Sequence, residues 1–97
     1  MKIDFDKIIK IHGAEYMELI NVNMSDVKSN ITYLFEIGFN DVEDIFERYT
    51  SIFIMDSKTF KERMKELVRR LGINYIDIIE NNLGILEELI WHLFLKK

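Results

Sequence analysis

The residues best suited to chemistry are cations. Lys58, Lys61, Lys65 and Arg69 recur at spacings of three and four, so on a helix they share one face, and Arg70 adjoins them. The stretch 58–70 carries six basic side chains against Glu62 and Glu66, a local charge of +4. The rest of the chain carries seven basic and fifteen acidic side chains, a charge of −8. A cationic row of this kind can follow a line of phosphates. It can equally receive an acidic protein, or form a solvated face balanced by Asp41, Glu43, Asp44 and Glu47 or by Glu62 and Glu66 of its own segment.

A second signal lies near the C-terminus. Trp91, Phe94 and Leu95 belong to a run that is apolar almost all round. Such a run is either central to a core or meets another chain, and Trp and Phe are the residues that anchor interfaces. Catalytic signals are weaker. Glu88 and His92 stand four apart, as paired metal ligands can, but one Glu and one His do not complete a site. His12 is the only other histidine. Asp4/Asp6, Glu43/Asp44 and Glu87/Glu88 are neighbours whose side chains diverge on a helix, so they suit caps and solvent rather than acid–base work. No phosphate loop, dinucleotide fingerprint or nucleophile elbow occurs. The expectation is a non-enzyme with no cofactor and no metal.

These residues need elements to hold them. The chain has 97 residues, 48% of them hydrophobic, no proline and four glycines, which suits one helical domain over residues 1–97. No cysteine is present, so there is no disulfide and no thiolate metal site. No apolar run reaches the roughly 18 to 20 residues of a membrane span. The acidic N-terminus, with Asp4, Asp6, Glu15 and Glu18, resembles neither a secretory nor a transit signal. A cytoplasmic location, with no membrane partner, is expected.

A three-residue phrase organises the chain. Gly38-Phe39-Asn40 recurs further on as Gly72-Ile73-Asn74. Glycine can end a helix in the left-handed region, the apolar residue can fold back on the last turn, and asparagine can cap the next helix. Helical periodicity marks segments over 4–21, 25–37, 41–49, 57–71, 75–81 and 83–95. Gly13 leaves open whether the first is one helix or two. The buried faces expected are Val27, Ile31, Leu34, Phe35 and Ile37; Val42, Ile45, Phe46 and Tyr49; and Phe60, Met64, Leu67, Val68 and Leu71. Thr50–Met55 is rich in β-formers but has no partner strand, so it is expected as a turn packed into the core. The fold class expected is all-α: five to six short helices in two stacked repeat units of about 34 residues. The units span 23–56 and 57–95, after a worn half-repeat over 1–22.

Asn30 to Phe39 and Leu67 to Ile73 each end a helix on a glycine followed by an apolar residue, and an acidic turn with Asp44-Ile45 or Asp77-Ile78 follows. Over residues 23 to 88 this pattern resembles the mitochondrial transcription termination factor (mTERF) family. The resemblance implies stacked three-helix units and nucleic-acid binding. The proline that closes each family repeat is absent, with Thr50 and Leu83 near those positions, and the chain is acidic overall. The function expected is a small regulatory binding module. Nucleic acid held by Lys58, Lys61, Lys65, Arg69 and Arg70 is favoured. The alternative is a protein-interaction module, as a homodimer or an inhibitor or adaptor of another protein, that uses Trp91, Phe94 and Leu95.

Overall fold

The computed structural model describes residues 4–90. Among them every regular element is helical: α1 (Phe5–His12), α2 (Glu15–Val22), α3 (Met24–Ile37), α4 (Val42–Arg48), α5 (Thr50–Phe53), α6 (Ser57–Leu71), α7 (Tyr75–Asn81) and a 3-10 turn over Leu83–Glu87. The all-α expectation holds. The elements outnumber the five or six expected, for two local reasons. Gly13, at φ 103°, splits the first segment into α1 and α2. Thr50–Phe53, expected as part of a turn packed into the core, is a short helix packed there. There the Thr50 hydroxyl donates to the Phe46 carbonyl at 2.7 Å, and Ile52 and Phe53 are fully buried.

The two glycine phrases end their helices differently. Gly38 is left-handed, at φ 110° and ψ 11°. Its N–H donates to the Phe35 carbonyl and the Phe39 N–H donates to the Leu34 carbonyl, both at 3.1 Å. This is a complete Schellman ending, and Phe39 and Leu34 are both buried. Gly72 stands at φ 88° and ψ −163°, outside that region, and Ile73 is 94% exposed. The expected fold-back therefore occurs once. α6 is one residue longer than α3, and its link to α7 is one residue shorter than the link from α3 to α4. Neither asparagine caps the next helix through its side chain. Asn40 instead donates from its backbone N–H (2.9 Å) and its side chain (3.0 Å) to Glu80.

The core is a line of rings. Phe46 meets Phe53 edge-on with centroids 5.3 Å apart, Phe53 meets Phe60 at 5.6 Å, and Phe60 meets Tyr33 edge-on at 6.3 Å. Those contacts tie α4, α5, α6 and α3 together. Asn30, fully buried on α3, donates to the carbonyls of Phe53 (2.9 Å) and Met55 (2.8 Å) and so satisfies the end of α5. One turn earlier on α3, Asp26 accepts from the Ser57 N–H at 3.1 Å. Of the expected core, Val27, Ile31, Leu34, Val42, Ile45, Phe46, Phe60, Met64 and Leu67 are buried. Phe35 is not: it lies on the far side of α3 and is 42% exposed.

Helix starts recur at one interval. α3 and α6 begin at positions 24 and 57, α4 and α7 at 42 and 75, α5 and the 3-10 turn at 50 and 83, with the same separation each time. Burial follows that interval: Val27, Ile31 and Leu34 on α3 correspond to Phe60, Met64 and Leu67 on α6. No helix among the described residues is long and apolar enough to cross a membrane.

Candidate functional site

The cationic residues do sit on one long helix, α6, but they are not equally available. Arg69 donates to Glu66 at 2.6 Å, and Arg70 donates to Glu88 at 2.7 Å. The Glu66 hydrogen bond raises the already high pKa of Arg69. The Lys61 ammonium lies 5.8 Å from the centre of the Tyr33 ring, a cation–π placement. Burial pushes the Tyr33 phenol above its usual value. Lys58 and Lys65 are exposed, and among the described residues no carboxylate pairs with either. So three of the five expected contacts to a polyanion already have partners. The exposed ion pairs are individually weak, on the order of 0–1 kcal/mol, but each cancels a charge at the surface.

The acidic balance expected from α4 goes elsewhere. Asp44 pairs with Lys7 and Arg48, each at 3.2 Å, and Glu47 pairs with Lys7 at 3.2 Å. Glu47 also accepts from the Asp4 N–H at 2.8 Å, and the His12 Nε2 stands 3.0 Å from the Glu47 carbonyl. The Asp44 and Glu47 carboxylates together hold the Lys7 ammonium above its usual pKa of 10.5. This network docks α1 on α4. It was legible only as charge in the sequence, because α1 and α4 lie far apart along the chain. Asp4 caps α1 by accepting from the Lys7 N–H. No group of three or more metal-ligating side chains occurs among the described residues. Trp91, His92, Phe94 and Leu95 lie outside the described residues.

Periodicity alone did not reveal the other feature. Of eight large apolar side chains exposed among the described residues, Phe5, Ile9, Ile11, Leu19 and Val22 lie on α1 and α2, and Val22 is 76% exposed. Of these, Phe5 also lines an apolar groove of about 250 Å³. Ile20, Met24, Val27, Lys28, Ile31 and Phe46 complete its lining, and of these only Lys28 is exposed. A second notch, between Asn40, Asp44 and Glu80, is polar and is crossed by the Asn40–Glu80 hydrogen bonds. The available surface is therefore apolar at α1–α2 and only thinly cationic at α6. No family model, curated protein or solved structure matches the chain.

Proposed function

We propose that the chain is a non-catalytic protein-interaction module whose contact face is the α1–α2 end. The observation that carries this reading is the number of exposed apolar side chains on two adjoining short helices, Phe5, Ile9, Ile11, Leu19 and Val22, with Phe5 also lining an apolar groove. Single exposed apolar residues are ordinary on a protein surface, whereas a concentration of them points to a contact site.

The recurring interval supports reading the chain as a short stack. α1–α2–α3 and α4–α5–α6 would be successive units, and α7 with the 3-10 turn would begin a third. This is the kind of arrangement that the mTERF resemblance implies. Two carboxylates fit the same reading. Glu47 on α4 accepts from the backbone N–H of Asp4, at the start of α1. Glu80, one interval later on α7, accepts from the backbone N–H of Asn40, just ahead of α4. A stack leaves its terminal units with uncovered apolar surface, which a partner can cover. A cytoplasmic setting suits a chain without cysteine.

The test is a purified partner, recovered by crosslinking through α2 and then measured alone. The double variant Leu19→Glu/Val22→Glu should weaken its binding at least tenfold, and Lys58→Glu/Lys65→Glu should leave it within twofold. The opposite pattern overturns the reading. One observation favours a second reading, nucleic-acid binding: Lys58 and Lys65 are exposed on one face of α6, with no carboxylate partner among the described residues. That reading requires affinity for a mixed duplex and single-stranded pool that falls steeply with salt and is lost in Lys58→Glu/Lys65→Glu.

A further inference from the structure

In the stacked reading, successive units are joined by one repeated contact. A carboxylate near the end of a unit's first helix reaches back to the backbone N–H ahead of the preceding unit's first helix. Glu47 does so from α4 to Asp4, at 2.8 Å. Glu80 does so from α7 to Asn40, at 2.9 Å, and its other oxygen accepts from the Asn40 side chain at 3.0 Å. Apolar cover comes with this second contact. Tyr75 donates to the Ile37 carbonyl and meets the Phe39 ring edge-on, and Ile76 closes over Gly38. Phe39 is buried as a result.

Two halves of this contact are left over, one at each end of the stack. Glu15, just past α1, continues the series of Glu47 and Glu80 at nearly the same interval. It is exposed, and its carboxylate has no partner among the described residues. At the other end, Gly72-Ile73-Asn74 repeats the phrase that α7 covers at Gly38-Phe39-Asn40. There Ile73 is almost fully exposed, and the backbone N–H and side-chain amide of Asn74 meet no acceptor among the described residues. Both ends are also apolar. Ile45 shares a notch with Glu80 and Leu83 of the following unit and is 1% exposed, whereas Ile78, one interval later, is 37% exposed. Seven of the eight large apolar side chains exposed among the described residues lie at the two ends: five on α1 and α2, with Ile73 and Ile78 at α7. Charge matches as well. On α1, Lys7 and His12 turn to α4, so Lys10 faces away; on α7, Tyr75 and Glu80 turn to the preceding unit, so Asp77 faces away. Lys10 and Asp77 are both exposed and unpaired among the described residues.

We propose, resting on the interaction reading above, that the α1–α2 end receives the α7 end of a second copy of this chain, so that copies stack head to tail. Glu15 of one copy accepts from Asn74 of the next, as Glu80 accepts from Asn40. Lys10 pairs with Asp77, and Leu19 and Val22 cover Ile73 and Ile78. A second copy is the occupant because this chain itself carries both missing halves, the free acceptor at one end and the free donors at the other. The two faces differ, so the contact is heterologous. Each added copy leaves one face of each kind open, and association grows with concentration instead of stopping at a two-fold dimer.

Sedimentation velocity on the full chain reads the association directly. The wild-type sedimentation coefficient should climb with concentration up to about 1 mM. Leu19→Glu/Val22→Glu closes one face, and Ile73→Glu/Asn74→Asp closes the other. Each variant alone should be monomeric. Their equimolar mixture should give a dimer and nothing larger, because one open face of each kind remains. Glu15→Lys, which keeps the apolar residues in place, should weaken wild-type association at least tenfold. All five positions are exposed, so wild-type melting curves are expected and are checked in parallel. A monomeric wild type, a monomeric mixture, self-association of Ile73→Glu/Asn74→Asp alone, or association indifferent to Glu15→Lys would each overturn the stack. If the wild type stays monomeric while Leu19→Glu/Val22→Glu still releases a purified partner, the head-to-tail contact falls and the interaction reading stands. If both fail, both fall.

Discussion

Glu47 is the side chain on which the most elements depend. Its carboxylate accepts from the Asp4 N–H and pairs with Lys7, and its backbone carbonyl meets His12. It is nearly buried, at 7% exposure, so its removal leaves a backbone donor without a partner in a partly dry site. Glu47→Ala should cost about 1–3 kcal/mol in urea unfolding and should selectively loosen α1, seen as faster amide exchange over residues 5–12. Lys7 makes a different prediction. Its pKa is raised in the folded state, so its contribution is complete below 10.5 and is lost as pH climbs through the folded value. The stability difference between wild type and Lys7→Met should be flat from about pH 6 to 9 and shrink only above about 10.5. A difference that vanished near neutral pH would contradict the network.

At the scale of elements, the turns decide where helices stop. Gly38 and Gly72 both have positive φ, but only Gly38 is enclosed: a Cβ there would stand 3.1 Å from the Ile76 Cδ1, whereas one at Gly72 would meet nothing within 4 Å. Left-handed backbone costs a non-glycine residue roughly 1–2 kcal/mol by itself, and the φ 88°, ψ −163° of Gly72 lies in a region essentially confined to glycine. Gly38→Ala and Gly72→Ala should therefore both destabilise, by different routes: the first strains the Schellman ending and crowds Ile76 of α7, the second acts through the backbone alone. Paired thermal melts check both; a Gly72→Ala melt equal to that of the wild type would contradict the backbone strain. The same contrast explains the sequence reading. Two similar phrases marked two correct helix ends. At the second, the ψ of −163° at Gly72 turns the chain away and leaves Ile73 exposed, so the fold-back is lost.

At the scale of the molecule, one cluster of rings joins four helices. Phe53 touches Phe46 and Phe60 and is fully buried, so Phe53→Ala should cost about 3–5 kcal/mol, a large share of the roughly 5–15 kcal/mol by which a small domain is stable. Phe35→Ala, on the open side of α3, should cost under about 1 kcal/mol. Urea titrations of the two separate a core ring from a surface ring that periodicity had placed in the core. The surface divides in the same way. Five cations looked like one stripe in the sequence. In the fold Arg69 and Arg70 turn to carboxylates and Lys61 to a ring, while the apolar groove opens at α1–α2.

Local physics was written in the chain. Helical periodicity, the breaking power of glycine and the acidic first turns set an all-helical chain, the bounds of α3, α6 and α7, and most of the buried face, because these depend on neighbours three or four apart. Gly13 was readable as a site of breakage, and its φ of 103° breaks the segment into α1 and α2. The remainder depended on contacts between distant residues, which no local spacing encodes. Asn30 reads as a blemish in an apolar face until Phe53 and Met55, far along the chain, present their carbonyls to it. Glu47 reads as a surface acid until Asp4 and Lys7 meet it. Which cations keep their charge exposed was decided only when the helices packed, since pairing and burial are properties of the assembled surface.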